Sequence, residues 1–200
     1  NDVMRNRDIS WGLRHNTFAF GDIGSNTNID SRASRQRAQT SIGYAASNRN
    51  YNNRLMLTHS TGLSKKGWAF TLSGSRRWAE EGYVPGTFYN GYAYFVAVDK
   101  RIGQNHLLSL TAFGAPTENG RQGAAVTEML DLAGTNYYNP NWGYQNGEKR
   151  NASIGRTHQP VIIMTHDFRL NNTTTLTTAA GFSFGKRSVT ALDWYNSADP

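Results

Sequence analysis

The amino-acid sequence predicts an all-β fold, and more narrowly part of a transmembrane antiparallel β-barrel, on three observations. Apolar and small polar residues alternate with a period of two, most clearly over residues 67–78, as in a strand with one apolar face. Short and long connections alternate between such segments, as they do between the two rims of a membrane barrel. Aromatic residues flank the apolar stretches, where a barrel meets the membrane interfaces.

Residues 1–33 differ from the rest of the chain and are predicted to form a separate unit. Gly21, Gly24, Asn26, Asn28 and Asp30 indicate tight turns and short strands, with few long apolar runs. The chain carries no signal peptide and begins with Asn, so we expect an excised or processed piece of a larger protein. The strand-rich part is predicted over 34–200.

The segment 67–78 carries the clearest alternation. Trp68, Phe70 and Leu72 share one face, and the small residues between them share the other. At a rise of about 3.3 Å per residue and a tilt of ~45°, its two Trp residues would lie roughly 25 Å apart along a membrane normal, the height of an apolar band. Arg76 has the same parity, so either a bulge shifts the face or the band ends below Arg76. The predicted membrane girdle is Trp68, Trp78, Tyr92 and Tyr94.

Six further segments alternate in the same way: 36–44, 55–61, 92–98, 108–112, 161–170 and 175–185. Their connections are short at 63–67, 101–105 and 171–174, and long at 80–90, at 115–160 and after 186. The connection 47–53 falls on the long-loop side but is brief. The stretch 115–160 is predicted to be a long external loop with a helix over 122–132 that ends near Gly134. The residues predicted to line the inner wall include Ser73, Ser75, Ala97, Asp99, Ser109 and Thr111.

Composition narrows the class of protein. The chain has no Cys, which excludes disulfides, Cys-ligated zinc and thiol catalysis. Mean hydropathy is -0.62, and no window approaches the roughly 18 apolar residues of a membrane helix, which a β-barrel does not need. The net charge of +7 permits a polyanion partner, but the basic residues are scattered at segment ends without a nucleic-acid motif. Solvated loops and lipid head groups explain the charge more simply.

Motifs for catalysis or metal binding are weak. Gly181-Phe-Ser-Phe-Gly185 fits the Gly-x-Ser-x-Gly pattern of hydrolases but continues a predicted strand instead of turning into a helix. The five His residues show no helical pair with a nearby Glu; His59 and His166 share the outward parity. Glu80 and Glu81 are adjacent and would point to opposite faces of a strand. We predict no catalytic residue, no metal, no cofactor and no enzymatic activity.

One aromatic run, residues 136–147, stands out as a candidate ligand site within the predicted external loop. Exposed aromatic rings in a loop can stack on sugar rings or other flat ligands. The alternative is that these rings pack within the loop or against the plug, and both interpretations stay open. The candidate ligand-binding residues are Tyr137, Tyr138, Trp142 and Tyr144.

With these runs in view, the chain resembles the TonB-dependent transporters of Bacteroidetes outer membranes, in the group that includes the SusC-like importers. Residues 21–32, with Asn28-Ile-Asp-Ser-Arg32, resemble the end of that family's plug domain. Residues 51–82 and 110–121 resemble barrel strands and the start of a large external loop. The most distinctive runs are 136–147 and 190–196.

The resemblance implies a barrel of 22 strands filled by an N-terminal plug, located in the cell outer membrane. It implies import of a nutrient, such as a glycan, metal chelate, cobalamin or peptide, driven through the TonB complex. A surface lipoprotein of the SusD-like type is a further implied partner, beside the lipid bilayer. This chain would supply the plug exit and roughly seven strands.

Two other functions remain open from the residues. A passive outer-membrane porin, or an outer-membrane enzyme, could be built on a similar barrel. A soluble β domain could bind glycan or polyanion through its aromatic loop, but it would need a second sheet over the Trp68, Phe70 and Leu72 face.

Overall fold

The computed structural model describes residues 7–13 and 24–192, and in these residues antiparallel strands dominate. A 3₁₀ turn at Ala33–Arg35 and one α-helix interrupt them. The strands are β1 Arg7–Trp11, β2 Ser25–Ile29, β3 Gln39–Ala46, β4 Asn53–Ser60, β5 Trp68–Ala79, β6 Tyr89–Ile102, β7 His106–Gly114, β8 Thr117–Gly120, β9 Trp142–Gln145, β10 Glu148–Asn151, β11 Ile154–His158, β12 Val161–Arg169, β13 Thr175–Ser183 and β14 Lys186–Val189, and the helix is α1 Thr127–Ala133.

One large sheet holds most of the strands, in the order β13-β12-β7-β6-β5-β4-β3. Each strand pairs antiparallel with its neighbours in that order. β8, β11 and β14 extend three of these strands beyond a common bend, since β8 pairs with β6 and β11, and β11 pairs with β14. The all-β fold and all seven predicted alternating segments are therefore confirmed.

The bend coincides with residues that interrupt a strand ladder. Pro116 and Pro160 have no N–H to donate, but their carbonyl oxygens accept from Tyr92 at 2.9 Å and from Phe184 at 3.3 Å. A Cβ at Gly185 would lie 2.5 Å from the carbonyl oxygen of His158, so the third bend requires glycine. Backbone hydrogen bonds between neighbouring strands therefore continue through the bend at Pro116 and Pro160.

The connections differ in part from the sequence prediction. Strands β8 and β11 occupy both ends of the predicted loop 115–160, which leaves 121–153 as the connection itself. The helix spans Thr127–Ala133, later than predicted, and ends as expected at Gly134, which has a left-handed φ of 63°. β14 occupies Lys186–Val189, the first residues of the connection predicted after 186, and continues the sheet there. β8, β11 and β14 lie beyond the apolar stretch of the sheet, so their sequences carry no apolar alternation.

The two faces of the sheet are inverted relative to a soluble β protein. Ala97 and Asp99 of β6 are fully buried, whereas Phe70 and Leu72 of β5 are 42% and 51% exposed. The predicted inner-wall residues Ala97, Asp99, Ser109 and Thr111 are buried, and Ser73 and Ser75 are half-buried. Most large apolar residues thus lie on the open face, and small or polar residues predominate on the covered one, with Phe95 as a buried exception.

Arg76 and the predicted girdle residues lie on the open face. β5 pairs with β6 in an unbroken register from Trp68 to Ala79, so no bulge shifts the face. The guanidinium of Arg76 lies 5.2 Å from the ring centroid of Trp78 and 5.3 Å from that of Tyr92. The apolar stretch therefore ends below Arg76. At the other end, the Lys100 ammonium lies 4.5 Å from the ring of Trp68.

A short segment near the N-terminus covers part of the inner face. Ala33 in the 3₁₀ turn is fully buried against β5 and β6. The small buried cluster consists of Ala33, Ala69, Phe95 and Ala97, with Phe113 packed against it. Because three of these residues are alanines, the turn approaches the strands closely.

The sheet is open, with β3 at one edge and β13 at the other in the described residues. Two further two-stranded antiparallel sheets, β1–β2 and β9–β10, are not paired with it. Helix α1, with seven residues, is too short to cross a membrane, as is every helical segment within 7–13 and 24–192. An exposed edge is a site at which another strand can pair.

We expect Ala97→Leu to destabilise the fold by about 1–3 kcal/mol, because the larger side chain would displace the 3₁₀ turn from β6. Val96→Leu, on the open face of the same strand, is the matched control and should be close to neutral. Denaturant unfolding of both variants measures the difference. Equal stability of the two variants would show that the turn does not pack against Ala97.

Candidate functional site

Arg32 connects the segment before the sheet to two strands at the far side of the sheet. Its Nη1 donates to Oδ2 of Asp167 on β12 at 2.5 Å, and its Nε and Nη2 donate to Asp30 at 2.9 and 2.7 Å. Asp167 Oδ1 also accepts from the Thr177 hydroxyl on β13 at 2.9 Å. One guanidinium thus ties residues 30–32 to β12 and β13.

The same segment is held on β6 by a second carboxylate. The backbone N–H of Ser34 donates to Oδ2 of Asp99 at 2.8 Å. Asp99 is fully buried, and its Oδ1 has no hydrogen-bond partner among the described residues. A buried carboxylate oxygen without a partner is costly, so the Ser34 N–H is a contact that Asp99 needs.

The electrostatics of the Arg32 cluster favour its charged form. Burial raises the pKa of Asp30, but the hydrogen bonds and charge of Arg32, aided by Arg35, outweigh burial and lower the pKa overall. The hydrogen bond from Arg32 to Asp30 raises the pKa of the guanidinium, against a smaller opposing effect of burial. Both groups are therefore ionised around neutral pH, and the cluster is a charge-assisted clamp.

The clamp lies at the short-turn end of the sheet. Asp99 is opposite Ala69 and Ser109, and Asp167 is opposite Leu107 and Thr177. These positions are close to the turns at 103–105 and 171–174. The segment 30–36 thus meets the sheet near the end that carries the short connections.

At the opposite end, two buried asparagines join the long loops. Asn139 donates from Nδ2 to the carbonyl oxygen of Pro85 at 3.0 Å and accepts at Oδ1 from the N–H groups of Gly123 and Asn141. It is 1% exposed. The connection after β8 is therefore attached to the loop between β5 and β6.

Asn151 makes a second junction between the same loops. Its Nδ2 donates to the carbonyl oxygens of Gly86 at 2.8 Å and Arg121 at 3.0 Å, and its Oδ1 accepts from the Ser153 N–H. The side-chain Nδ2 and Oδ1 atoms of both asparagines have hydrogen-bond partners within the protein, so neither junction leaves a buried polar atom unpaired. The β5–β6 loop and the connection after β8 are thus joined by hydrogen bonds at two points.

Trp142 is held against the β5–β6 loop. A Cβ at Gly86, where φ is +75°, would lie 2.2 Å from Trp142 side-chain atoms, so only glycine fits. The Lys149 ammonium lies 4.3 Å from the indole centroid and is ion-paired with Glu81. The hydrogen bond from Lys149, with that from the Gly86 N–H, lowers the pKa of Glu81.

The predicted aromatic residues form two contacts and no single platform. Trp142 and Tyr144 meet edge to face at 5.9 Å, and Tyr144 is 71% exposed. Tyr137 meets Tyr83 of the other loop at 5.9 Å, and Tyr138 is half-buried. Beside Trp142 lies an open cavity of about 290 Å³, lined by Glu80, Glu81, Gly86, Phe88, Lys149, Arg150, Asn151 and Ile154.

The remaining candidate groups have local roles in the structure. Gly181 and Ser183 lie within β13, so this Gly-x-Ser-x-Gly run is not a strand-to-helix turn. His59 bonds Thr40 at 2.8 Å, and His106 bonds His166 at 3.1 Å. Within 7–13 and 24–192 no three acidic or His side chains converge as metal ligands; His15 and residues 193–196 lie outside that part.

Sequence reasoning missed the residues that organise both ends. Asn139 and Asn151 each accept from the N–H two residues later, a turn for which Asn is favoured, so Asn-Pro-Asn and Asn-Ala-Ser were usable signals. Arg32 and Asp167 are separated by 135 residues. No local pattern could have joined them.

We expect Arg32→Gln to loosen the segment 30–36, with about tenfold to a hundredfold faster amide hydrogen exchange at Ser34 and Gln36, because a charged hydrogen bond contributes about 1.5–3 kcal/mol. Arg35→Gln is the charge-matched control, since its guanidinium is more exposed and 3.6 Å from Asp30. Hydrogen exchange read by mass spectrometry tests this. Equal exchange in both variants would contradict the clamp.

Known proteins supply no independent evidence for this site. Comparisons with protein-family models, curated proteins and solved structures produced no match. The resemblance to TonB-dependent transporters accordingly rests on the quoted residues and enters below as a proposal.

Proposed function

We propose that this chain forms part of the wall of a plugged outer-membrane β-barrel that imports a nutrient by coupling to TonB. The observation that carries the proposal is the inverted sheet. In an aqueous protein a second layer covers the apolar face of a sheet. Here the covered face carries Ala69, Thr71, Ala97 and Asp99, while Phe70, Leu72, Leu110 and Met164 are exposed. A lipid bilayer is the surrounding that suits this open face.

The ends of the open face support a membrane position. At the short-turn end Lys100 lies over Trp68, and at the long-loop end Arg76 lies over Trp78 and Tyr92. Tyr and Trp rings favour membrane interfaces, and long basic side chains reach from there to head groups. Two aromatic and basic belts therefore bound one apolar band.

The clamped segment supports a plugged barrel instead of an empty one. Residues 30–36 cross the inner face from β12 to β6 through Arg32 and Ser34. A chain that leaves a plug and enters the first strand, β3, would take this route. In an importer of this class, ligand binding outside shifts the equilibrium of the plug, and the clamp lies where that shift would reach the wall.

The joined outer loops are the place where a nutrient would first bind. Tyr144 offers an exposed ring, and the Trp142 ring it meets lies beside a cavity lined by both carboxylates and cations. Aromatic rings with nearby hydrogen-bonding groups suit a glycan. A surface lipoprotein of the SusD-like type would dock over these loops, and the TonB complex would act from the opposite rim.

A soluble β domain that binds glycan or polyanion is the rival proposal. It accounts for the aromatic loop but requires an additional layer over the Phe70, Leu72 and Met164 face. It also predicts a protein that stays in solution without detergent, which makes the two proposals separable.

We expect Leu72→Arg to destabilise the membrane-inserted protein by about 2–4 kcal/mol, because an Arg near mid-membrane faces lipid. The matched control is Leu63→Arg, in the turn before β5, which should be nearly neutral. Outer-membrane fractionation and heat-modifiable gel migration of the full-length protein measure assembly. A neutral Leu72→Arg would contradict a lipid-facing position of Leu72, and a wild-type protein that stays soluble without detergent would favour the rival.

We expect uptake by cells that carry the full-length protein to stop when a protonophore collapses the inner-membrane gradient, since TonB coupling uses that gradient. A labelled oligosaccharide pool is the probe, and a general porin substrate is the control that should be unaffected. Uptake that continues without the gradient would identify a passive porin.

A further inference from the structure

An open cavity of about 420 Å³ lies on the outward face just beyond the aromatic belt at the long-loop end. It forms where β7, β12 and β13 bend into β8, β11 and β14. Its volume is within the range of ligand sites, roughly 300–1,000 Å³. Its lining residues are Asn90, Tyr92, Pro116, Thr117, Glu118, Arg156, Thr157, His158, Lys186 and Ser188.

Basic side chains dominate the charge of this cavity. Arg156 and His158 on β11 alternate with Thr157, so both share the outward face with Tyr94, whose hydroxyl bonds His158 at 3.1 Å. Lys186 on β14 is directly opposite His158. Glu118 is the single carboxylate among the lining residues. Two permanent cations therefore face one anion.

Glu118 positions Arg156 without using its whole guanidinium. Its Oε1 accepts from Nε at 2.8 Å and lies 2.6 Å from Nη2. Nη1 of Arg156 and the Lys186 ammonium have no ion-pair or hydrogen-bond partner among the described residues. One oriented Arg donor group and one Lys ammonium are thus available to an anion, and Arg is suited to phosphate.

The lower side of the cavity is continuous with the apolar face. Tyr92 lines it, and Arg76 lies on the same ring 5.3 Å from its centroid. Below Tyr92, the outward side chains of β6 are Tyr94 and Val96. An acyl chain could follow this row while its head group occupied the cavity. A small soluble anion would make no use of that continuity.

We infer that this cavity binds the phosphate-bearing head group of a lipid in the outer leaflet. The inference rests on the proposed membrane position of the sheet. Arg156 and Lys186 bind the phosphate, and His158 and Ser188 line the rest of the head-group site. Anionic lipids gain attraction from each basic residue near the surface.

The test uses the full-length protein in detergent micelles, with native mass spectrometry as the readout. The probe is a bisphosphorylated disaccharide lipid, compared with the same lipid after removal of both phosphates. We expect the phosphorylated lipid to stay bound, and the double variant Arg156→Gln with Lys186→Gln to reduce its retention at least tenfold. Lys65→Gln with Arg101→Gln, at the opposite rim, removes the same charge and should retain the lipid.

Each other outcome overturns the inference in a recognisable way. Equal retention of the dephosphorylated lipid would exclude phosphate recognition, and displacement by millimolar inorganic phosphate would indicate a soluble-anion site. Heat-modifiable migration of every variant checks that it is folded. The single variant Lys186→Gln, at an exposed position, should still weaken retention of the phosphorylated lipid. If the wild-type protein lacks that migration and needs no detergent, the membrane proposal itself fails. A membrane-inserted wild type without phosphate dependence rejects only the lipid site.

Discussion

The structure depends on the small size of the side chains along the inner face of the sheet. Ala69, Thr71, Ala97 and Ser109 leave room for a backbone segment to lie directly on the strands, and Ala33 enters that space. With bulky apolar residues there, the face would need its own packed layer, and the segment 30–36 could not reach Asp99. The apolar residues are displaced to the outer face by the same alternation. The bare outer face and the attached inner segment are thus two consequences of one pattern.

The sequence was sufficient to predict the strands whose two faces differ in polarity. Period-two alternation placed Phe70 and Leu72 on one face of β5 and Ala69 and Thr71 on the other. It did so without knowledge of the neighbouring strands, because adjacent side chains in a strand point to opposite faces. It failed for β8 and β14, whose residues are polar on both faces and are held only by pairing with distant strands. The sequence did not predict the Arg32 clamp for a related reason. Its contacts join segments far apart in the chain, and a pair such as Arg32 and Asp167, separated by 135 residues, leaves no local sequence pattern.

The two ends of the sheet use polar groups differently, and the difference bears on what each end can do. At the long-loop end, Asn139 and Asn151 have no unsatisfied amide atom, so the exposed ring of Tyr144 and the half-buried ring of Trp142 are presented on a supported loop. Preorganisation of this kind lowers the entropic cost of binding. At the inner clamp, Asp99 keeps one oxygen without a partner among the described residues. Attachment there is correspondingly less complete.

This asymmetry indicates which part of the molecule is suited to move. The sheet consists of long paired strands, with a continuous ladder of 12 residues in β5 alone, and displacement of any one strand would break many hydrogen bonds together. The segment 30–36 is not part of the strand ladder; its contacts include the hydrogen bonds of Arg32 and the Ser34 N–H and the packing of Ala33. Individual hydrogen bonds of this kind can be exchanged for hydrogen bonds to water at moderate cost, whereas the many bonds of a strand ladder cannot be exchanged together. In the proposed importer, the wall is therefore the fixed element, and release of the Arg32 clamp is the step by which an inner domain would change position against it.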